Sequence, residues 1–122
     1  MSYETMELVK QEQIAVLTLN RPDKLNAISP QMWWDLANAM EEIQRDDEVR
    51  VLVLTGKGRG FCAGADVAET LTLAVSGNAP PRTKDQLKEP VGIAGLRLAK
   101  IRKPTLAAIN GVAAGMGFSL AL

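Results

Sequence analysis

The chain contains no histidine at all among its 122 residues. That single absence removes Ser-His and Cys-His nucleophile pairs and histidine-ligated metal sites. There is one cysteine, Cys62, so no intrachain disulfide forms, which fits a reducing compartment. Charge of either sign is not in excess. Fourteen Lys and Arg balance fourteen Asp and Glu, leaving no electrostatic case for nucleic acid or an anionic membrane surface. Aromatics make up only 4% of the residues. No apolar run approaches the roughly 20 residues of a membrane span. The N-terminus, Met1-Ser2-Tyr3-Glu4-Thr5, lacks the basic-then-apolar order of a signal peptide, so a cytoplasmic protein is expected.

What remains is a chain that is 47% hydrophobic and 23% charged, the balance of a globular protein of about one domain. Ile14 to Leu19 is rich in branched residues and reads as a strand, with Met6 to Lys10 as a hairpin partner. Asn20-Arg21-Pro22-Asp23-Lys24 breaks the pattern as a turn. Ser29-Pro30 is a helix start, with Ser as N-cap and Pro in the first turn. Met32, Trp33, Leu36, Ala37, Met40 and Ile43 recur at helical steps, so a helix is expected from Pro30 to about Arg45. Val51 to Thr55 lacks polar alternation, which suits a parallel strand covered on both faces. A short helix is expected from Asp66 to about Leu73, a loop over Ala74 to Asp85, and a helix from Pro90 to about Arg102 with Val91, Ile93, Leu96 and Ile101 among its apolar positions. Pro104 opens a further buried strand. Strands alternating with helices argue an α/β domain with crossover connections.

Two glycine-bounded turns carry most of the functional information. Gly56-Lys57-Gly58-Arg59-Gly60-Phe61-Cys62-Ala63-Gly64-Ala65-Asp66 follows the first buried strand. Asn110-Gly111-Val112-Ala113-Ala114-Gly115-Met116-Gly117 follows the second. Each reads as a strand, a turn of small residues and a helix start. Such turns leave backbone N–H groups free and pointing outward. Two of them side by side would hold an oxyanion between two donors. An ordinary strand-to-helix connection reads the same way from either turn alone. A dinucleotide fold is excluded, because Gly56, Gly58 and Gly60 do not form G-x-G-x-x-G, and there is no G-K-[ST] of a P-loop.

At these residues the sequence resembles the crotonase superfamily, the enoyl-CoA hydratases and isomerases. The resemblance is carried by Leu19-Asn20-Arg21-Pro22-Asp23-Lys24-Leu25-Asn26-Ala27, by Val53-Leu54-Thr55-Gly56, by Phe61 to Asp66, and by Lys103-Pro104-Thr105 through Gly117. It implies a spiral of repeated ββα turns, commonly trimeric or a dimer of trimers, that takes acyl-CoA thioesters. Coenzyme A then arrives as part of the substrate, with no separate cofactor and no metal. The chain stops five residues after Gly117, inside an apolar helix without a polar stop. Residues 1–122 are therefore expected to be the N-terminal part of one crotonase-like domain, cut before its C-terminal helices.

The resemblance also assigns roles. Its oxyanion donors fall on the N–H groups of Ala65 and Met116. Its CoA contacts fall on Lys24, Leu25 and Ala27, and on Ala63, Ala65, Asp66 and Val67. The first of the two glutamates that hydratases use falls on Ser119. A serine hydroxyl is essentially never ionised at neutral pH and does not replace a carboxylate base. Isomerase chemistry with a single acid beyond Leu122 is thus favoured over two-glutamate hydration, and an acyl-CoA-binding or assembly-only protein is the alternative. Asp66 is read as a helix cap, Cys62 as a small buried residue, Trp33 and Trp34 as packing one helix face, and Arg97, Lys100, Arg102 and Lys103 as a solvated helix end.

Overall fold

The computed structural model describes residues 3–77 and 90–122. Its elements follow a ββα order three times over. β1 (Met6–Gln11), β2 (Ile14–Leu19) and α1 (Pro30–Arg45) come first. β3 (Val51–Gly56), β4 (Gly60–Cys62), α2 (Val67–Val75) and α3 (Pro90–Lys100) follow. β5 (Thr105–Ala108), β6 (Val112–Ala113) and α4 (Met116–Ala121) complete the order.

Strands β1 and β2 form the expected hairpin, closed by Glu12 and Gln13 at positive φ. Such a two-residue connection matches the right-handed twist of its strands. Parallel pairing then sets β3 beside β2, and β5 beside β3, giving the order β1-β2-β3-β5. A second, two-stranded parallel sheet pairs β4 with β6. The shorter sheet joins the two glycine-bounded stretches, because β4 lies inside the first and β6 inside the second.

Helix α1 begins where Ser29 accepts a hydrogen bond from the N–H of Met32. Its stripe of Met32, Trp33, Leu36, Ala37, Met40 and Ile43 is buried in the core with Leu17, Leu19, Leu52 and Leu54 from the sheet. Trp34, expected on the packed face, points outward at 44% exposure. Asp35 takes a buried place instead, and its carboxylate accepts the N–H and hydroxyl of Thr5 at 2.9 and 2.7 Å. Those bonds satisfy an acid that burial alone would penalise.

The strands depart from expectation in their covering. Leu52 and Leu54 of β3 are buried, but Val51, Val53 and Thr55 on the other face are only half-buried. The hairpin gives the sheet an antiparallel edge, and sheets of this kind tolerate one partly wet face. β5 was expected to be buried and is largely exposed, because it pairs only with β3 among the described residues. Helix α2 runs two residues beyond its expected end and absorbs Ala74 and Val75 from the expected loop. The part of that loop from residue 78 onward lies outside the described residues. Helix α3 ends at Lys100, with Ala94 buried and Leu96 turned outward. The basic residues of its last turn and just beyond are not all solvated. Arg97 donates to the carbonyl of Ala37 at 2.7 Å, and Lys103 donates to that of Ile43 at 2.6 Å. Lys103 thereby serves the last turn of α1, where carbonyls have no helical partner.

Candidate functional site

The first turn is laced to the segment that precedes α1. The N–H of Ala63 donates to the carbonyl of Leu25 at 3.0 Å. Ile28 donates to the carbonyl of Gly64 at 2.7 Å and accepts from the N–H of Asp66 at 2.9 Å. These last two bonds form a parallel bridge between Ile28 and Ala65. Because they fall on either side of Ala65 in the chain, its own N–H faces away from Ile28. Lys24, Leu25 and Ala27 are thus brought alongside Ala63, Ala65, Asp66 and Val67. Lys24 is exposed at the end of a single 3-10 turn, Pro22–Lys24, and Leu25 follows it in the left-handed region. Ala65 and Val67 are exposed, and Ala63 is half-buried.

The second turn lies against the first. Ala114 donates to the carbonyl of Cys62 at 3.0 Å. Gly64 and Gly115 both take positive φ, 103° and 54°. A β-carbon on Gly64 would sit 3.0 Å from the carbonyl oxygen of Ala114 and 3.7 Å from the nitrogen of Met116. Glycine at these places permits both the backbone conformation and the close approach. Met116 is the first residue of α4, so its N–H has no partner within the helix. Among the described residues, neither the Ala65 nor the Met116 N–H has an acceptor.

Two asparagines tighten the junction. The buried Asn26 donates to the carbonyls of Lys57 and Gly60 at 3.1 and 2.9 Å. Asn110 donates to those of Gly58 and Gly60 at 2.9 and 3.2 Å, and accepts from the N–H of Gly56 at 3.2 Å. Sequence reasoning gave neither a role. Their partners lie more than thirty residues away, and the only available signal was an amide inside each small-residue segment. Arg21 was missed likewise. Its guanidinium donates to the carbonyl of Ala27 and meets Asp66 at 3.0 Å and Glu69 at 3.1 Å.

Asp66 acts as the cap expected of it, accepting the N–H of Glu69 at 3.0 Å. That bond, and then the Arg21 guanidinium, hold its carboxyl below the usual carboxylate range. Its folded value therefore lies under the unfolded one. The stabilisation is complete above about pH 4 and is lost as the pH falls through the folded value. Asp66→Asn should lower the melting temperature at pH 7, and the deficit should shrink by pH 3. An equal loss at both pH values would contradict the linkage.

Cys62 is buried, and burial pushes its thiol up from the ordinary value. The thiolate is the reactive form, so a disulfide-based thiol reagent at neutral pH should label the denatured chain and leave the folded one almost untouched. Fast labelling of the folded protein would overturn that reading.

A cavity of about 430 Å3 opens beside the second turn. Met116 and Ser119 of α4 line it with Trp33, Leu54, Leu98 and Leu106. None of its described lining residues is an acid.

The comparison with known proteins decides the family, since residues 9–122 match the family model for enoyl-CoA hydratase/isomerase. The chain belongs to this family, within the crotonase superfamily. It is 43% identical over 111 residues to the 1,2-epoxyphenylacetyl-CoA isomerase of Escherichia coli (strain K12), covering 89% of this chain and 41% of that one. It is 40% identical over 121 residues to an Arabidopsis thaliana protein named "Probable enoyl-CoA hydratase 1, peroxisomal", covering 98% and 42%. The crystal structure of enoyl-CoA hydratase EchA8_6 from Mycobacterium marinum superposes with a TM-score of 0.80 at 32% identity, over 93% of this chain and 52% of that one. The mixed α/β architecture is therefore that of crotonase structures. The chain spans about two fifths of the length of these two curated relatives. Among the described residues, no helix of this crotonase-family chain is long and apolar enough to cross a membrane.

Proposed function

We propose that this crotonase-family chain takes part in isomerising an acyl-CoA thioester by stabilising its enolate. The observation that carries the reading is the contact of the two turns at Gly64 and Gly115, each followed by a residue whose N–H lacks an acceptor among the described residues. Those two donors, on Ala65 and Met116, suit a thioester oxygen that gains charge as a proton leaves the neighbouring carbon. One such donor is typically worth about 3–4 kcal/mol of barrier. The proton leaves one carbon and returns to another two positions away, moving the double bond without adding water. Ser119 supports isomerisation over hydration, because it offers no carboxylate where a hydratase of this family carries its first glutamate. The Escherichia coli relative is named as an isomerase of an epoxyphenylacetyl-CoA, which agrees in reaction class and not in the bond that moves.

In this reading CoA lies along Lys24, Leu25 and Ala27, with Ala63, Asp66 and Val67 taking its adenine end by backbone groups. Lys24 offers a compact positive charge to a phosphate. The protein would be cytoplasmic and assembled as a homo-trimer or a dimer of trimers. Ser119, a cavity-lining residue without a carboxylate, also supports a second reading, acyl-CoA binding without turnover. Incubating the whole protein with 3-enoyl-CoA and 2-enoyl-CoA thioesters separates these. Interconversion of the two without a hydroxyacyl product is expected. Net hydration would remove the isomerase preference, binding without conversion would favour the second reading, and no binding by calorimetry would sink both.

A further inference from the structure

Arg21 touches neither free N–H, yet it reaches both chain segments that set the direction of one of them. Ala65 is aimed by its bridge to Ile28, which consists of only two hydrogen bonds. On the N-terminal side of Ala65 stands Gly64 at a φ of 103°, a residue that permits wide backbone excursions. The restraint must therefore come from the other directions. Arg21 supplies it from both. One arm of its guanidinium donates to the carbonyl of Ala27, the residue before Ile28. The other arm meets the carboxylate of Asp66, the residue after Ala65, and that of Glu69 one helical turn on. The Arg21 and Asp66 side chains are only 16% and 12% exposed, so the pair is largely shielded from water. The base of the arginine is itself fixed, because its N–H donates to Asn26 at 2.8 Å, and the Asn26 amide anchors to Lys57 and Gly60.

We propose that Arg21 is a positioning residue, a staple across the Ile28–Ala65 bridge that holds the Ala65 N–H on the thioester oxygen. The inference rests on the oxyanion reading given above. Its physical basis is that a displaced donor loses much of its effect on the reacting group even while the ligand stays bound. A planar guanidinium presents its donors in a wide rigid fork, with Nη1 on the Ala27 carbonyl and Nη2 on the two carboxylates. A lysine ammonium carries its three donors on a single atom and spans the same partners less well.

The test uses butanoyl-CoA labelled with carbon-13 at the thioester carbonyl, a saturated probe that is neither hydrated nor isomerised. Its infrared carbonyl stretch, free and bound, reports polarisation of that bond, and calorimetry reports its Kd. On the parent protein the bound stretch should fall below the free value. Arg21→Gln should lose at least about half of that shift while Kd changes less than about threefold, and Arg21→Lys should lie between. Should Arg21→Gln fail to fold, the comparison rests on Arg21→Lys, for which a partial loss of the shift is expected and an undiminished shift would overturn the proposal. An unshifted stretch on the parent protein would sink the oxyanion reading and the staple with it. A full shift in a folded Arg21→Gln would sink the staple alone. A full shift with Kd weakened more than about tenfold would make Arg21 a holder of CoA, which also overturns the proposal.

Discussion

Gly117→Ala is expected to unseat the second turn and destabilise the protein by about 3 kcal/mol or more. Gly117 is buried where α4 crosses β4. A β-carbon there would lie 2.1 Å from the carbonyl oxygen of Cys62 and 2.8 Å from its carbonyl carbon. Both are backbone atoms, so no rotamer change relieves the clash. The helix must back away from the strand. That movement strains the bond between Ala114 and Cys62, which ties the second turn to the first, and the bond from Gly117 to Ala114. Overpacking costs about 1–3 kcal/mol where side chains can adjust, and a backbone clash with a lost hydrogen bond belongs at or above the top of that range. Denaturant unfolding of the whole protein measures it. Gly95 provides the control, since a β-carbon there meets nothing within 4 Å. Gly95→Ala lies in the interior of α3 and should stabilise by about 0.5–1 kcal/mol. If the two variants behave alike, the close approach of α4 to β4 is wrong.

The reason Gly117 matters could be only half read from the sequence. The two turns were legible because strand, small residues and helix start follow one another locally, and local chemistry sets each step. The hairpin, the start of α1 at Ser29 and Asp66 as a cap were legible for the same reason. Coverage was not. Whether β3 is wet on one face, or β5 stands at an edge, depends on what packs there from elsewhere in the chain. Trp34 and Asp35 show the same limit at one residue's resolution: the tryptophan was read as packing a helix face with Trp33, yet it points outward, and the aspartate beside it is buried with hydrogen bonds from Thr5. The bonds made by Arg21, Asn26 and Asn110 join residues up to 54 positions apart. Single-residue propensity carries no trace of such pairings, although they hold the candidate donors in place.

Proline at position 116 deletes one of those donors with little expected disturbance of the fold, and the loss in turnover should be large. Met116 is the first residue of α4, the helical position where proline is best tolerated because its N–H is unpaired in any case. The residue before a proline must be extended. Gly115, at φ 54° and ψ −125°, is the mirror image of that conformation, which an achiral residue adopts without a side-chain clash. Met116→Pro also removes a side chain that lines the cavity, so Met116→Ala is the reference, truncating the side chain and keeping the N–H. If Met116 holds the thioester oxygen in the transition state, kcat should fall about 100- to 1,000-fold from the alanine to the proline variant. KM should move far less, since the lost interaction strengthens as charge develops. Steady-state kinetics on an enoyl-CoA thioester, with melting temperatures beside them, make the measurement. A proline variant that folds and turns over within about threefold of the alanine variant would remove Met116 from the site and leave Ala65 without a second donor to share the charge.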